Sequence, residues 1–165
     1  MVAKIIVLSD SHKNQKLLRK SICNETSLTH IFHLGDNYED LDDNIDLIQN
    51  KQIMKVPGIF HPGYINKKLP TILKTSIADW KFTLLHNLED WTFEYSDLVL
   101  FGHIHKQQFF QKDEVSFLNP GHLKGDRSRS QPPGYAVLEV SNDKIDIKLK
   151  NIKGNVLTNH QVKRR

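Results

Sequence analysis

Six side chains able to hold a cation recur along the chain in a regular way: Asp10 with His12, Asp36 after Gly35, His86, and His103 with His105 after Gly102. Carboxylate oxygen is a hard donor and imidazole nitrogen a borderline one, a mixture that suits Zn²⁺, Mn²⁺ or Fe better than Ca²⁺. In extended backbone, residues two apart point the same way. The spacing therefore predicts that Asp10 and His12 offer two ligands to one place, and His103 and His105 likewise. Glycines ahead of Asp36 and His103 permit tight turns that bring backbone close to an ion. Each pair alone is a weak signal, because a D-x-H is commonly a turn aspartate beside a surface histidine.

What unites the pairs is the elements that precede them. Residues 4–9 form a continuous apolar, β-branched run, the pattern of a strand buried on both faces, and 31–34, 53–56, 81–86 and 98–101 read as further short strands. Asp10 and His12, Asp36, Gly58, His86, and His103 with His105 lie at or just beyond the carboxyl ends of these runs, where open α/β sheets bind their ligands. Residues 14–23 place Leu17, Leu18 and Ile22 at helical spacing, and 39–49 place Leu41, Ile45 and Ile48 on one face of an amphipathic helix. Strand, helix, strand, helix, strand predicts right-handed crossovers and a parallel sheet. Beyond residue 70 the pattern turns to β-rich runs at 71–77, 107–111, 115–118, 135–140 and 144–150, with a hairpin turn at Asn142-Asp143. Helices early and strands late predict an α/β protein of two packed sheets with helices outside them.

At 165 residues and 38% hydrophobic composition, one domain spanning 1–165 is expected. The longest apolar runs are too short to cross a bilayer and no signal peptide is evident, so a cytoplasmic protein without membrane contact is expected. The single Cys23 cannot form an internal disulfide. The formal charge of +4 is uneven: residues 1–140 hold 16 Lys/Arg against 17 Asp/Glu, whereas 141–165 hold 7 against 2. The excess reads as a basic, solvated C-terminal extension over about residues 151–165, and the near-neutral body argues against a nucleic-acid groove.

The segments VLSDSH, HLGDN, LLH, FGHIH and LNPGH, in that order, resemble the calcineurin-like metallophosphoesterase superfamily over about residues 4–140. The likeness is to its small single-domain phosphodiesterase branch, which also includes the retromer subunit Vps29. The resemblance implies a four-layer α-β-β-α sandwich and a phosphodiesterase or phosphatase acting on a small phosphoester through two divalent ions. Mn²⁺ is the first candidate, with Zn, Fe or Ni as others. It implies Asp10, His12 and His105 on one ion, Asp36 bridging, and His86 with His103 on the second. Two cations about 3.5–4 Å apart can ionise a shared water and hold a phosphate for in-line attack by the resulting hydroxide. That agrees with a sequence lacking a P-loop and a reactive cysteine context.

Two departures from the family pattern stand out. The family has Gly-Asn after the third strand, whereas this chain reads Pro57-Gly58-Ile59-Phe60-His61, and isoleucine offers no ligand atom. His61 is the nearest substitute, as a replacement ligand or as the catalytic general acid, or else it is a loop residue. Only 16 residues separate His86 from His103, so the helix usual there is expected to be short or lost, leaving the site open or covered by a second subunit in a homo-oligomer. His122, after the Asn-Pro-Gly turn, is a candidate for touching substrate phosphate. Lys124, Arg127 and Arg129 form a cationic loop that either attracts a phosphate oxyanion or is simply solvated. His30 and His33 read as structural and His160 as exposed. The alternative to an enzyme is a catalytically weakened or inactive Vps29-like metal-binding module that serves protein partners.

Overall fold

In the computed structural model, which describes residues 1–164, the first apolar run forms β1 (Ala3–Leu8). Side chains alternate across a strand, so Ile5 and Val7 enter a cluster between two sheets while Ile6 and Leu8 enter a second cluster beneath α1 (Gln15–Cys23). Burial on both faces requires apolar residues at every position, which is why the sequence shows an unbroken run. Helix α1 starts where Asn14 Oδ1 accepts the Leu17 N–H at 3.1 Å, and it buries Leu17, Leu18 and Ile22.

The remaining strands are β2 (His30–His33), β3 (Gln52–Lys55), β4 (Ile72–Ile77), β5 (Trp80–Leu85), β6 (Leu98–Leu100), β7 (Gln107–Lys112), β8 (Val115–Pro120), β9 (Gly134–Val140), β10 (Lys144–Asn151) and β11 (Val156–Lys163). They form a six-stranded sheet in the order β11-β10-β9-β1-β2-β3 and a five-stranded sheet in the order β4-β5-β6-β8-β7. Both are mixed. Only β1-β2-β3 in the first sheet and β5-β6-β8 in the second run parallel, so the parallel expectation holds for the segments that lead into the candidate site. Between the sheets Ile5, Val7, Phe32 and Leu138 pack against Phe82, Leu84, Leu98 and Leu100.

Two expectations need correction. Residues 39–49 do not form one amphipathic helix: a 3₁₀ turn at Asp42–Asn44 leads into a single turn, α2 (Ile45–Ile48). Leu41 is buried, but Ile45 is 68% exposed. Asn44 breaks the helix because its side chain is committed elsewhere, donating to Gln15 Oε1 at 2.7 Å and to the Asp40 carbonyl at 2.8 Å while accepting from Arg19 at 2.8 Å.

The basic C-terminal stretch is not a loose extension either. It supplies β11, paired antiparallel to β10, with Val162 opposite Ile145 and His160 opposite Ile147. Val162 is buried and His160 stacks on Phe109 at 4.4 Å, so that histidine is not simply exposed.

The outer layer on the second sheet is thin, as the short His86–His103 interval predicts. Leu85, Val99, Phe101, Val115 and Phe117 are covered by Leu88 and Trp91 around a 3₁₀ turn at Leu88–Asp90, where a helix would otherwise lie. Among the described residues no helix is long and apolar enough to cross a membrane.

Candidate metal centre

Asp10 lies two residues beyond β1 and is fully buried. Its Oδ2 accepts two hydrogen bonds, from Ser9 Oγ at 2.6 Å and from the His103 N–H at 3.0 Å, which fixes the carboxylate plane. Its Oδ1 has no hydrogen-bond partner although His105 Nε2 is 3.1 Å away. The same holds for His12 Nε2, 2.9 Å from Asp36 Oδ2, and for His86 Nε2, 3.5 Å from Asp36 Oδ1. Buried polar atoms left unpaired cost about 1–3 kcal/mol each. Atoms this close without hydrogen-bonding geometry suit lone pairs that meet on a shared cation.

Ligand atoms of Asp10, His12, Asp36 and His105 all lie within 4.8 Å of one another. One oxygen of Asp36 faces His12 and the other faces His86, and the His86 and His103 rings meet edge to face at 5.2 Å. All six residues read from the sequence are therefore brought together, and Asp36 sits between the two groups.

Second contacts orient the rings, and for His86 the contact also sets the tautomer. His86 Nδ1–H donates to the Leu34 carbonyl at 2.7 Å, which leaves the lone pair on Nε2, the atom beside Asp36. His105 Nδ1 is 2.7 Å from Ser128 Oγ, a hydroxyl that can donate or accept, so this contact orients the ring with its Nε2 toward Asp10 without choosing the tautomer. Burial alone pushes the Asp36 carboxyl up, but the close approach of His12 and the positive charge that His86 and His12 can carry hold it well below the usual carboxylate range. Burial, then the charge of His86, pushes the His103 imidazole below its ordinary value.

The local backbone differs from the extended geometry expected. Asp10, His12, Asp36, His103 and His105 adopt φ of 53°, 45°, 54°, 69° and 61°. The pairs converge through left-handed turns and not through strand alternation, at a cost of order 1 kcal/mol per residue that tends to accumulate at functional sites. Close approach also demands glycine. A Cβ on Gly58 would fall 2.1 Å from Asp36 Oδ1, and one on Gly35, whose φ is +106°, would fall 2.5 Å from His86 Nδ1.

His61 lines a cavity of about 280 Å³ together with His12, Asp36, Asn37 and Glu39. Its Nδ1 accepts the Gly63 N–H at 2.9 Å, capping α3 (Pro62–Ile65), and its Nε2–H donates to Glu39 Oε1 at 2.8 Å. In this arrangement no lone pair remains for a cation, which corrects the replacement-ligand reading; a proton at the cavity wall remains. His122 differs from expectation as well. It is fully buried, its Nε2–H donates to the Gln131 carbonyl at 2.9 Å, and its Nδ1 accepts the Lys124 N–H at 3.2 Å. With both nitrogens committed to backbone it braces the 122–131 loop, packed 5.5 Å from His105, and makes no contact suited to substrate.

Sequence reasoning passed over Ser9, Ser128 and Asp40. Ser9 had a local signal, its place beside Asp10. Asp40 was legible only as one of many acids, yet its Oδ2 accepts from Ser11 Oγ at 2.6 Å and the Lys13 N–H at 2.9 Å, pinning the turn that carries His12. With Ser11 donating to Asp40, His33 Nε2–H donates to Ser11 Oγ at 2.9 Å.

Burial pushes the His33 imidazole down to about 4. Its unfolded value is near 6.5, so the unfolded chain binds the proton more readily between these values. The contribution of His33 is then full above about pH 6.5 and is lost as pH falls toward 4, up to about 3 kcal/mol. Urea unfolding of the wild type and His33→Gln from pH 7.5 to 4 checks this. The variant is expected to lose part of the acid sensitivity, and parallel curves would refute the assignment.

The chain matches the family described as Calcineurin-like phosphoesterase superfamily domain over residues 3–143. It is 26% identical over 141 residues to phosphodiesterase MJ0936 of Methanocaldococcus jannaschii, covering 74% of this chain and 85% of that protein. Two solved structures share the fold. A conserved uncharacterised protein of Streptococcus pneumoniae TIGR4, described as a predicted phosphoesterase, superposes with a TM-score of 0.72 at 23% identity, covering 98% of each chain. Vacuolar Protein Sorting 29 of Cryptosporidium parvum superposes at 0.73 with 19% identity, again covering 98% of each.

Proposed function

The chain belongs to the calcineurin-like phosphoesterase superfamily, and from that premise we propose that it is a metal-dependent phosphohydrolase for small phosphodiesters. Asp10, His12, Asp36, His86, His103 and His105 would hold two divalent cations, Mn²⁺ first among them. Three buried ligand atoms without hydrogen-bond partners, Asp10 Oδ1, His12 Nε2 and His86 Nε2, carry this reading. When bound, such a pair supplies Lewis acidity toward phosphoryl oxygens and brings the pKa of water near neutrality.

The chain's own residues do the rest. Ser9 and the His103 N–H orient Asp10, while Leu34 fixes the His86 tautomer and Ser128 holds the His105 ring. Asp36 offers one oxygen to each group of ligands. His61 is taken as the general acid: it stands at the cavity wall, and its Nε2 proton, held by Glu39, would pass to the leaving oxygen once released from that carboxylate. The same reading takes residues 1–165 as one domain of a cytoplasmic protein, where the lone Cys23 stays a thiol. Small phosphoesters are its expected partners, and a second copy of the chain over the thin outer layer is compatible with it.

The two groups of ligands are unequal. Asp10, His12, Asp36 and His105 are gathered within 4.8 Å, whereas Asp36, His86 and His103 lack the amide that Ile59 displaces. Calorimetric titration of chelator-treated protein with Mn²⁺ is expected to show one tight and one weaker ion. With both bound, bis(p-nitrophenyl) phosphate is expected to turn over faster than p-nitrophenyl phosphate, and EDTA is expected to stop both. The missing Ile59 ligand favours a second reading, a Vps29-like interaction module. Two Mn²⁺ ions bound with no hydrolysis of either ester would support that module and overturn the enzyme.

A further inference from the structure

Two consecutive residues of the loop after β8 grip the two histidines of the G-H-I-H segment. Ser128 Oγ meets His105 Nδ1 at 2.7 Å, and Arg129 Nη1 donates to the His103 carbonyl at 2.9 Å. The loop is built to present them. The Ser128 N–H donates to the Gln131 carbonyl at 2.9 Å and the Gln131 N–H donates back at 2.8 Å, while His122 holds the same Gln131 carbonyl from beneath. Arg129 and Ser130 both sit in the left-handed region, at φ of 48° and 63°, a conformation non-glycine residues rarely adopt.

A guanidinium carries five N–H donors, and here one is spent on the carbonyl of a candidate ligand. Arg129 is exposed, and its remaining donors have no partner among the described residues. It has no carboxylate partner in any ion pair described, unlike Arg19 with Asp46. An arginine without a counter-charge, tethered beside a phosphate-processing centre, is matched to a phosphoryl oxygen, which accepts planar, charge-assisted hydrogen bonds. Its side is also the one where coordination is short, because His103 belongs with His86 and not with the four clustered ligands.

We propose that Arg129 is the phosphate clamp of this centre, binding a non-bridging oxygen of the substrate and supplying positive charge on the His86–His103 side where Ile59 supplies no ligand. The assignment rests on the phosphohydrolase reading and adds to it a named substrate-binding residue. Lys124 and Arg127 are not part of the clamp: Arg127 Nη1 reaches only the Ser130 carbonyl, at 3.5 Å.

The test titrates Mn²⁺-loaded wild type, Arg129→Ala and Arg129→Lys with inorganic phosphate, and separately measures Mn²⁺ affinity and thermal midpoint. Arg129→Ala is expected to weaken phosphate binding about tenfold or more and to raise KM for bis(p-nitrophenyl) phosphate. Mn²⁺ affinity and thermal midpoint are expected to stay at wild-type values, and Arg129→Lys is expected to recover part of the phosphate affinity. Equal phosphate binding by wild type and Arg129→Ala overturns the clamp and leaves the enzyme reading standing. A loss of Mn²⁺ binding in Arg129→Ala also overturns it, showing that the loop merely supports the ligands. A wild type that binds Mn²⁺ but neither binds phosphate nor hydrolyses the ester overturns both.

Discussion

Asp36→Asn is expected to lower the proposed Mn²⁺-dependent phosphodiester hydrolysis by about 10³-fold while the metal-free protein still folds. Asp36 sits between the two groups of ligands, with Oδ2 2.9 Å from His12 and Oδ1 3.5 Å from His86. An amide of the same shape can offer one carbonyl oxygen but turns an NH₂ toward the other side, so it cannot serve both and carries no charge. Losing one preorganised electrostatic contact at a reacting centre commonly costs about 10²–10³-fold, and a shared ligand lies at the upper end. The clearest readout is linkage. A ligand at 100 times its Kd stabilises the folded state by about 2.7 kcal/mol, so Mn²⁺ should raise the thermal midpoint of the wild type and raise that of the variant much less. A variant that keeps both the Mn²⁺-induced shift and the rate would remove Asp36 from the centre.

Gly58→Ala is expected to damage the centre without touching a ligand. The added Cβ would lie 2.1 Å from Asp36 Oδ1 but also 2.7 Å from the Asp36 nitrogen and 3.0 Å from its Cα, so rotating one side chain does not relieve the clash and backbone must shift. Overpacking of this kind costs about 1–3 kcal/mol, and misplacing a reacting group by about 1 Å can cost 10²-fold in rate. Gly125→Ala is the control, since nothing lies within 4 Å of the Cβ it would add. Urea unfolding and Mn²⁺ titration of the two variants should separate them. Wild-type behaviour in Gly58→Ala would mean that the turn after β3 has more room than its contacts indicate.

The contrast between these glycines bears on what was legible beforehand. Both are a single letter in a loop, and only the position of Asp36 against Gly58 distinguishes them. The candidate ligands are legible because each follows an apolar run, and these runs become parallel strands of two packed sheets, β1 and β2 in one and β5 and β6 in the other, whose carboxyl ends meet. His33 was rightly read as structural from its place within a strand. The helix expected over 39–49 failed because its periodicity was real but Asn44 found better partners in Gln15 and Arg19 of α1. The C-terminal strand was missed because charge outweighed a weak alternation of Val156, Thr158, His160 and Val162, which becomes meaningful only opposite Leu149, Ile147 and Ile145 of β10.

The amino-acid order alone therefore determined which donors are present, in what sequence they meet the ends of strands, and that Ile59 withholds one of them. Tertiary structure decided the left-handed turns that aim Asp10, His12, Asp36, His103 and His105, and the partners that hold the His86 and His105 rings in place. Those partners are remote in the chain: Leu34 lies 52 residues from His86, and Ser128 lies 23 from His105. Local propensity acts over a few residues, whereas such contacts exist only after two sheets have closed on a common core and excluded the water that would otherwise satisfy each group singly.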